Sequence, residues 1–416
     1  MTPPQNSHDR EQASAARDGR SSLPQVRSWC ARWARIVPAA LLAAMPAPAR
    51  SEVAACAATS DRHERGSLPI MGVMGLDSTM FEQLTGTPIA QLHTFVPRQE
   101  GWSPISGRSS GSRIKEAKDA LADAPEQTVV ISYSPIPQRI EGPRRQALGK
   151  CAAGYFNQHY VDYGRSLAER NLDRFILRIG WEWDADFPWG ADRDLYQARL
   201  YGDCFAQVVR SIRRGFPDNR ILFDWNSTLS VTQDLLEAGY PGDEVVDIVS
   251  VEGYDNRGGS TPQERWAAVE RQFDMVRDFG LAHGKKLAFP EWGIWANNGT
   301  SRWGGGDNPY HIQKVCEYAK NPANNVLYLN YFNRSNEYAD HRLQANPRSL
   351  NAFRTYCRGF AATVGEEFWR SAAEAEVDDS RGNTCSDDRS EGPSARATRH
   401  RERAQRRARR EEKAAS

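Results

Sequence analysis

The chain has no uninterrupted apolar run of the roughly 20 residues that a helix needs to cross a bilayer. Its longest apolar stretch, near residues 36–49, is too short for a permanent anchor, so no membrane span is expected. Nor is there an excess of either charge. The 54 Lys and Arg face 53 Asp and Glu, a formal net charge of +1, which argues against a nucleic-acid partner for the chain as a whole. The seven cysteines include no CxxC pair and no Cys/His spacing of the kind a zinc site uses, so no metal is expected. A Gly-rich phosphate motif is missing too: GVMGLDS, after the first apolar run, lacks the GxGxxG spacing of a dinucleotide site, and no cofactor is expected.

What is present is aromatic and unevenly charged. Trp 12 with Tyr 14 is a rich supply of rings for stacking, while the basic residues gather at the two ends. Residues 1–28 are polar. From Trp29 the chain reads WCARWARIVPAALLAAMPAPAR, in which Arg32 and Arg35 precede an apolar segment and Ala47-Pro48-Ala49 offers a small-residue cleavage site. That pattern is a secretory signal, and it predicts a secreted or periplasmic protein. Removing it leaves Cys56, Cys151, Cys204, Cys316, Cys357 and Cys385, an even number that permits disulfides as readily as it permits buried thiols. The domain reading is 1–49 leader, 50–66 linker, 67–362 barrel, and 363–416 an acidic, then Arg-rich, disordered tail. The tail reads as a solvated extension, with adhesion to an anionic surface as the alternative.

Between the ends, short apolar runs alternate with amphipathic segments. Predicted strands are Leu68 to Gly75, Pro88 to Val96, Thr128 to Ser134, Arg174 onward, Arg220 to Asn226, Val245 to Tyr254, Lys286 to Gly293 and Val326 to Phe332. Predicted helices lie between them, among them Ala152 to Glu169 and Pro262 to His283, the latter opened by Thr261 with Glu264 three residues on. Strands buried on both faces and alternating with helices imply a parallel sheet, and eight repeats select a single-domain α/β (β/α)₈ TIM barrel over an open doubly wound sheet. The unusual polar residues, His93, Tyr133, Glu182, Asn226, Tyr254, Glu291 and Asn333, fall at or near strand carboxyl ends, where barrel active sites are built.

The stretch RFILRIGWEWDADFPWG organises this reading. Period-2 alternation puts Arg178, Gly180 and Glu182 on one face, with Leu177, Ile179 and Trp181 on the other. A second stretch, KKLAFPEWGIW, ends its apolar run in Glu291 followed by Trp292 and Trp295. Two carboxylates at the ends of strands four and seven would face each other across the barrel mouth. That is the apparatus for glycosidic bond cleavage: one acid protonates the leaving oxygen and one carboxylate attacks the sugar. Trp181 and Trp183 would desolvate Glu182 and suit it to acid/base work, leaving Glu291 as the nucleophile. Arg178 could hold a carboxylate ionised by charge pairing. Trp189, Trp292 and Trp295 are read as sugar-stacking rings, Asn226 and His93 as weaker rim candidates, and Tyr254 as either a donor to the nucleophile or a packed rim residue. Glu252 and Asp255 are further carboxylates near the same rim, one of which could belong to the site.

These residues resemble the glycoside hydrolase clan with the acid/base after strand four and the nucleophile after strand seven. LRIGWEWDADFPWG followed by DWN, by YPGDEVVDIVSVEGYD and by KKLAFPEWG looks most like family 26, which contains β-mannanases and related endo-acting hydrolases. The resemblance implies an Arg four residues before the acid glutamate, the place of Arg178, an aromatic residue after strand six at Tyr254, and the nucleophile at Glu291. Typical mannanases have histidine immediately before the acid glutamate, whereas this chain has Trp181, so the resemblance carries the reaction type further than the sugar. The expectation is a monomeric, retaining, endo-acting β-glycoside hydrolase whose partner is a polysaccharide. The alternatives are a non-catalytic polysaccharide-binding barrel and a transglycosylase of exopolysaccharide processing.

Overall fold

A computed structural model describes residues 68–140, 142–297 and 304–373. The segments expected as leader and linker, and all of the chain after residue 373, lie outside the described residues, and so do Cys30, Cys56 and Cys385. Eight parallel strands form the barrel: β1 (Ile70–Met74), β2 (Gln91–Phe95), β3 (Thr128–Tyr133), β4 (Ile176–Ile179), β5 (Leu222–Ser227), β6 (Ile248–Val251), β7 (Lys286–Gly293) and β8 (Val326–Tyr331). Each pairs with the next, and Ile70 of β1 lies against Tyr328 of β8, which closes the sheet. Eight principal helices wrap it: α1 (Thr79–Thr85), α2 (Ile114–Asp123), α3 (Asn157–Glu169), α4 (Leu195–Gly215), α5 (Gln233–Gly239), α6 (Pro262–Ala282), α7 (Pro309–Lys320) and α8 (Pro347–Tyr356).

Alternation along the strands sorts the side chains. Outward residues such as Leu177, Phe223, Val249 and Phe289 join the helices in one large apolar cluster. Inward residues make a second, smaller cluster from Ile70, Ala90, Val130, Ile176, Leu222, Ile248, Ala288 and Tyr328, one layer across the barrel floor. One step further along the strands the inward positions turn polar, with Ser132, Arg178, Asp224, Ser250 and Asn330 all buried. Gly72 sits in this layer because a Cβ there would fall 1.8 Å from Asn330 Oδ1.

The helix caps follow their sequence signals. Thr261 and Glu264 form a reciprocal capping box at α6, and the Asp194 side chain accepts the Gln197 N–H at the start of α4. Two boundaries differ from expectation. The segment predicted as one helix from Ala152 to Glu169 is broken: helix Arg144–Ala152 ends, Gly154 turns the chain at φ 82°, and α3 starts at Asn157. The expected tail also begins too early at residue 363. Helix Glu366–Ala373 packs Phe368 and Ala372 against the barrel-floor layer, an i, i+4 apolar pair concealed by the acidic residues around it. Two disulfides, Cys151–Cys204 and Cys316–Cys357, tie helix Arg144–Ala152 to α4 and α7 to the end of α8.

Candidate active site

β4 stops at Ile179, three residues short of Glu182. Alternation alone therefore does not aim that carboxylate. Gly180 and Glu182 both adopt left-handed backbone, with φ of 58° and 52°, so the chain turns sharply at the strand end. A Cβ on residue 180 would meet Tyr201 and Trp189 at 2.8 and 2.9 Å, and glycine alone meets both demands. The Glu182 N–H donates to Asn226 Oδ1 at 3.0 Å, which fixes the turn from β5.

Glu291 is aimed by a different device. Ala288 points into the barrel, so strict alternation would send residue 291 outward. The β7–β8 register slips here: Phe289 pairs with Leu329 and Trp292 with Tyr331, so β7 carries one residue more than β8 over this interval. The bulge turns Glu291 inward and Trp292 outward into the apolar cluster.

Arg178 joins these groups at the centre of the barrel. Its side chain is fully buried; Nη1 donates to Glu291 Oε1 at 2.5 Å and Ser132 Oγ at 3.2 Å, and Nη2 to Glu252 Oε1 and Asn226 Oδ1, both at 2.6 Å. Tyr254 Oη donates to the other Glu291 oxygen at 2.8 Å. Asn226 is itself held by its Nδ2, which donates to Ser250 Oγ at 3.1 Å, and Ser250 Oγ donates to Asp224 at 2.5 Å. Burial raises the Asp224 carboxyl to about 6, against the Ser250 and Tyr328 hydroxyls and Arg178, which pull it down.

The electrostatics separate the three glutamates. Burial opposes the charge on Arg178, but the carboxylates of Glu291 and Glu252 more than offset it, and the guanidinium stays charged. Glu182 is half-buried, so its carboxyl is reachable from the cleft yet partly desolvated. Burial raises it above the ordinary carboxylate value and the Glu291 charge adds to that; a hydrogen bond with Glu252 and the charge on Arg178 work the other way. Glu252 is raised well above its usual value, by burial first and then by the charges of Glu182 and Glu291. Two carboxyl groups thus pair with one guanidinium while Glu182 lines the cleft beside them, and Glu182 and Glu252 are driven toward their neutral forms.

Above this cluster opens a cleft of about 440 Å³, within the range of ~300–1,000 Å³ usual for ligand sites. Glu182, Glu252 and Glu291 line it together, with Tyr254, Trp295 and His341. Trp295 and Tyr254 meet edge to face at 5.7 Å, and His341 Nδ1 is 2.7 Å from the Ile294 carbonyl.

The remaining expected site residues are placed elsewhere. Trp189 and Trp292 are fully buried, and their reading as sugar-stacking rings is corrected; Trp183, expected beside the Glu182 carboxyl in the substrate site, is fully buried as well. Trp183 stacks between Tyr201 and Trp225, Trp189 stacks on Phe187 and donates to the Trp181 carbonyl, and Trp292 packs against Tyr331 and Phe353. Indoles beside a strand end fill the wedge between barrel and helices, where their area is worth most. Trp181, 6 % exposed, packs edge-on against Phe95 and Trp189 rather than lining the cleft. His93 is buried and shares a hydrogen bond with Ser132 Oγ at 2.8 Å; burial and the nearby Arg178 charge push it well below the usual imidazole value. Of the two extra carboxylates, Glu252 joins the cluster, whereas Asp255 accepts from Asn308 Nδ2 at 2.9 Å. Arg193, Arg257 and Asp184 also line the cleft and were missed, since nothing in their sequence neighbourhood distinguishes them from other loop residues.

Comparison with solved structures gives the same topology a precedent. An endo-β-1,4-mannanase of Cellulomonas fimi superposes with a TM-score of 0.57 at 19% identity, covering 72% of this chain and 74% of that one. A family 26 glycoside hydrolase of a Muricauda species gives 0.56 at 16% identity over 73% and 89%. The barrel has the fold of family 26 glycoside hydrolases. A family 26 β-mannanase of Bacteroides ovatus matches as well, with a TM-score of 0.52 at 14% identity over 73% and 93%. Neither the family models nor the curated proteins compared with this sequence match it. At these identities the family 26 likeness concerns the fold, and the chemistry has to be argued from the side chains.

Proposed function

We propose that the chain is a retaining, endo-acting glycoside hydrolase that cleaves a β-linked polysaccharide by double displacement. The observation that carries this is the unequal treatment of two carboxyl groups in one cleft. Glu291 receives donors on both oxygens, from Arg178 and Tyr254, which fix its orientation for attack. Glu182 is desolvated and raised, which favours the protonated form that a general acid needs. In the first half-reaction Glu291 attacks the anomeric carbon, the bond to the leaving oxygen breaks, and Glu182 gives that oxygen its proton. In the second, Glu182 takes a proton from water, the water oxygen attacks the same carbon, and Glu291 is expelled. Two inversions restore the starting configuration.

Asn226 acts through others, holding both Arg178 and the Glu182 backbone. The two disulfides support an exported protein, since such bonds persist in oxidising compartments. Product analysis by NMR on a polysaccharide panel tests the reading. New reducing ends that first appear in the configuration of the cleaved bond are expected, with oligosaccharides of several lengths. Products of inverted configuration would overturn the double displacement, and no cleavage of any polymer would overturn the hydrolase.

A further inference from the structure

The reaction above uses the glutamates, Tyr254 and Arg178 and leaves the two arginines of the cleft without a role. Arg193, an exposed residue, and Arg257, half-buried, both line it. Among the described residues neither guanidinium forms an ion pair. Arg257 Nη1 donates to Ser230 Oγ at 3.3 Å. Asp184, whose field reaches both arginines, is one carboxyl against two guanidinium groups and makes its hydrogen bonds to Thr228 instead, one oxygen accepting the N–H at 2.7 Å and the other the hydroxyl at 2.6 Å.

The two cations also disfavour one another. Arg257 is lowered from the ordinary guanidinium value by burial first, then by the charges of Arg193 and Arg271. Backbone strain adds a further cost, since Asp192 and Arg193 are consecutive non-glycine residues in left-handed conformation, at φ of 46° and 62°. Such strain concentrates where a side chain must be aimed. The catalytic end of the cleft does not cancel this positive charge, because Glu291 is matched by Arg178 and the other two glutamates are driven toward neutrality.

We propose that Arg193 and Arg257 form a subsite for a carboxylate or sulfate carried by a sugar of the glycan, so that the substrate is an acidic β-linked polysaccharide rather than a neutral one. This rests on the hydrolase reading above. Guanidinium groups suit the task because their planar forks match carboxylate and sulfate oxygens in pairs, and their weak hydration lowers the cost of contact.

The test uses the full chain and matched polymers: glucuronoxylan against its carboxyl-reduced form, and a sulfated xylan against its desulfated form, with an unsubstituted mannan as a third arm. Reducing-end release is measured for the wild type and for the Arg193→Gln/Arg257→Gln double variant. Binding is measured by affinity electrophoresis in the Glu291→Gln background, with and without the arginine changes. The expected result is a kcat/KM about tenfold or more higher on the charged member of one pair, the preferred pair naming the anion. The double variant should lose that preference through KM, and an Arg193→Lys/Arg257→Lys variant should keep part of it. Cleavage of neutral polymer at equal or higher kcat/KM overturns the anionic subsite and leaves the hydrolase standing. No cleavage, but binding to a charged polymer that the arginine changes abolish, overturns the hydrolase and leaves the subsite. Neither cleavage nor binding overturns both.

Discussion

Replacing Arg178 by methionine separates a charge-bearing centre from a space-filling one. Methionine keeps much of the stem volume and removes the guanidinium, leaving Glu252 and Glu291 without the donors that now sit 2.6 and 2.5 Å away. Removing one partner of a buried ion pair costs about 3–5 kcal/mol, because the other charge stays behind in a poorly solvating place. At about 2 °C per kcal/mol for a domain of this size, Tm should fall by ~6–10 °C at pH 8. The pH dependence has a definite sign. Glu182 and Glu252 are already raised in the folded chain, and losing the cation raises them further. A carboxyl raised on folding holds its proton longer in the folded state, so its contribution is full below the unfolded value near 4.3 and is lost as pH rises through the folded value. The Arg178→Met deficit should therefore be largest at pH 8 and shrink toward pH 5, as followed by thermal scans at both. A variant within about 1 °C of wild type at both values, or a deficit that grows on acidification, would refute the reasoning.

Tyr254→Phe removes one donor to Glu291 Oε2 and nothing else of size. A hydrogen bond to a charged group contributes about 1.5–3 kcal/mol, so kcat should fall by about 10- to 150-fold with KM little changed; an unchanged kcat would remove Tyr254 from the mechanism. Glu252→Gln replaces a strongly raised carboxyl with a group that stays neutral, so the loss of stability between pH 5 and pH 8 should be shallower than in wild type, and a steeper loss in thermal scans would contradict the assigned direction. The Cys151–Cys204 bridge closes a sequence separation of 53 residues, for which chain entropy gives about 4 kcal/mol. Replacing both cysteines by serine should cost roughly 2–4 kcal/mol in denaturant titration, and a cost under about 0.5 kcal/mol would mean the bridge constrains nothing.

The eight-fold alternation was legible because parallel strands buried on both faces read as continuous apolar runs, and seven of the eight runs carry an unusual polar residue at or near their carboxyl end. Glu182, Glu291 and Tyr254 were visible for the same reason. The indoles were misjudged because sequence reports that Trp183 neighbours Glu182 and not which way each side chain faces once the strand ends. Trp183 turns back onto Tyr201 and Trp225 while Glu182 turns to the cleft. Glu252 was ambiguous with Asp255 from spacing alone. The register of β6 resolves it, since Ile248 and Ser250 point inward and Glu252 continues their alternation, whereas Asp255 follows the two-residue strand Gly253–Tyr254 that pairs with β7.

What the sequence conceals most thoroughly is that the two candidate catalytic carboxylates depend on departures from regular structure. Had β4 continued its alternation, Gly180 would have needed no special backbone and Glu182 no left-handed φ; had β7 kept register with β8, Glu291 would have pointed into the helix layer beside Phe289. A regular β7 would thus leave Arg178 paired with Glu252 and without Glu291. The bulge in β7 adds Glu291 to the buried Arg178–Glu252 pair, and the turn after β4 sets Glu182 on the wall of the same cleft. One of these three carboxyl groups is held by two donors and the others are pressed toward neutrality. Strain of order 1–3 kcal/mol per left-handed residue survives only where packing over-determines it. Here Asn226 does so from β5, accepting the Glu182 N–H and the Arg178 guanidinium on one oxygen, so the element that tolerates the strain also orients the charge.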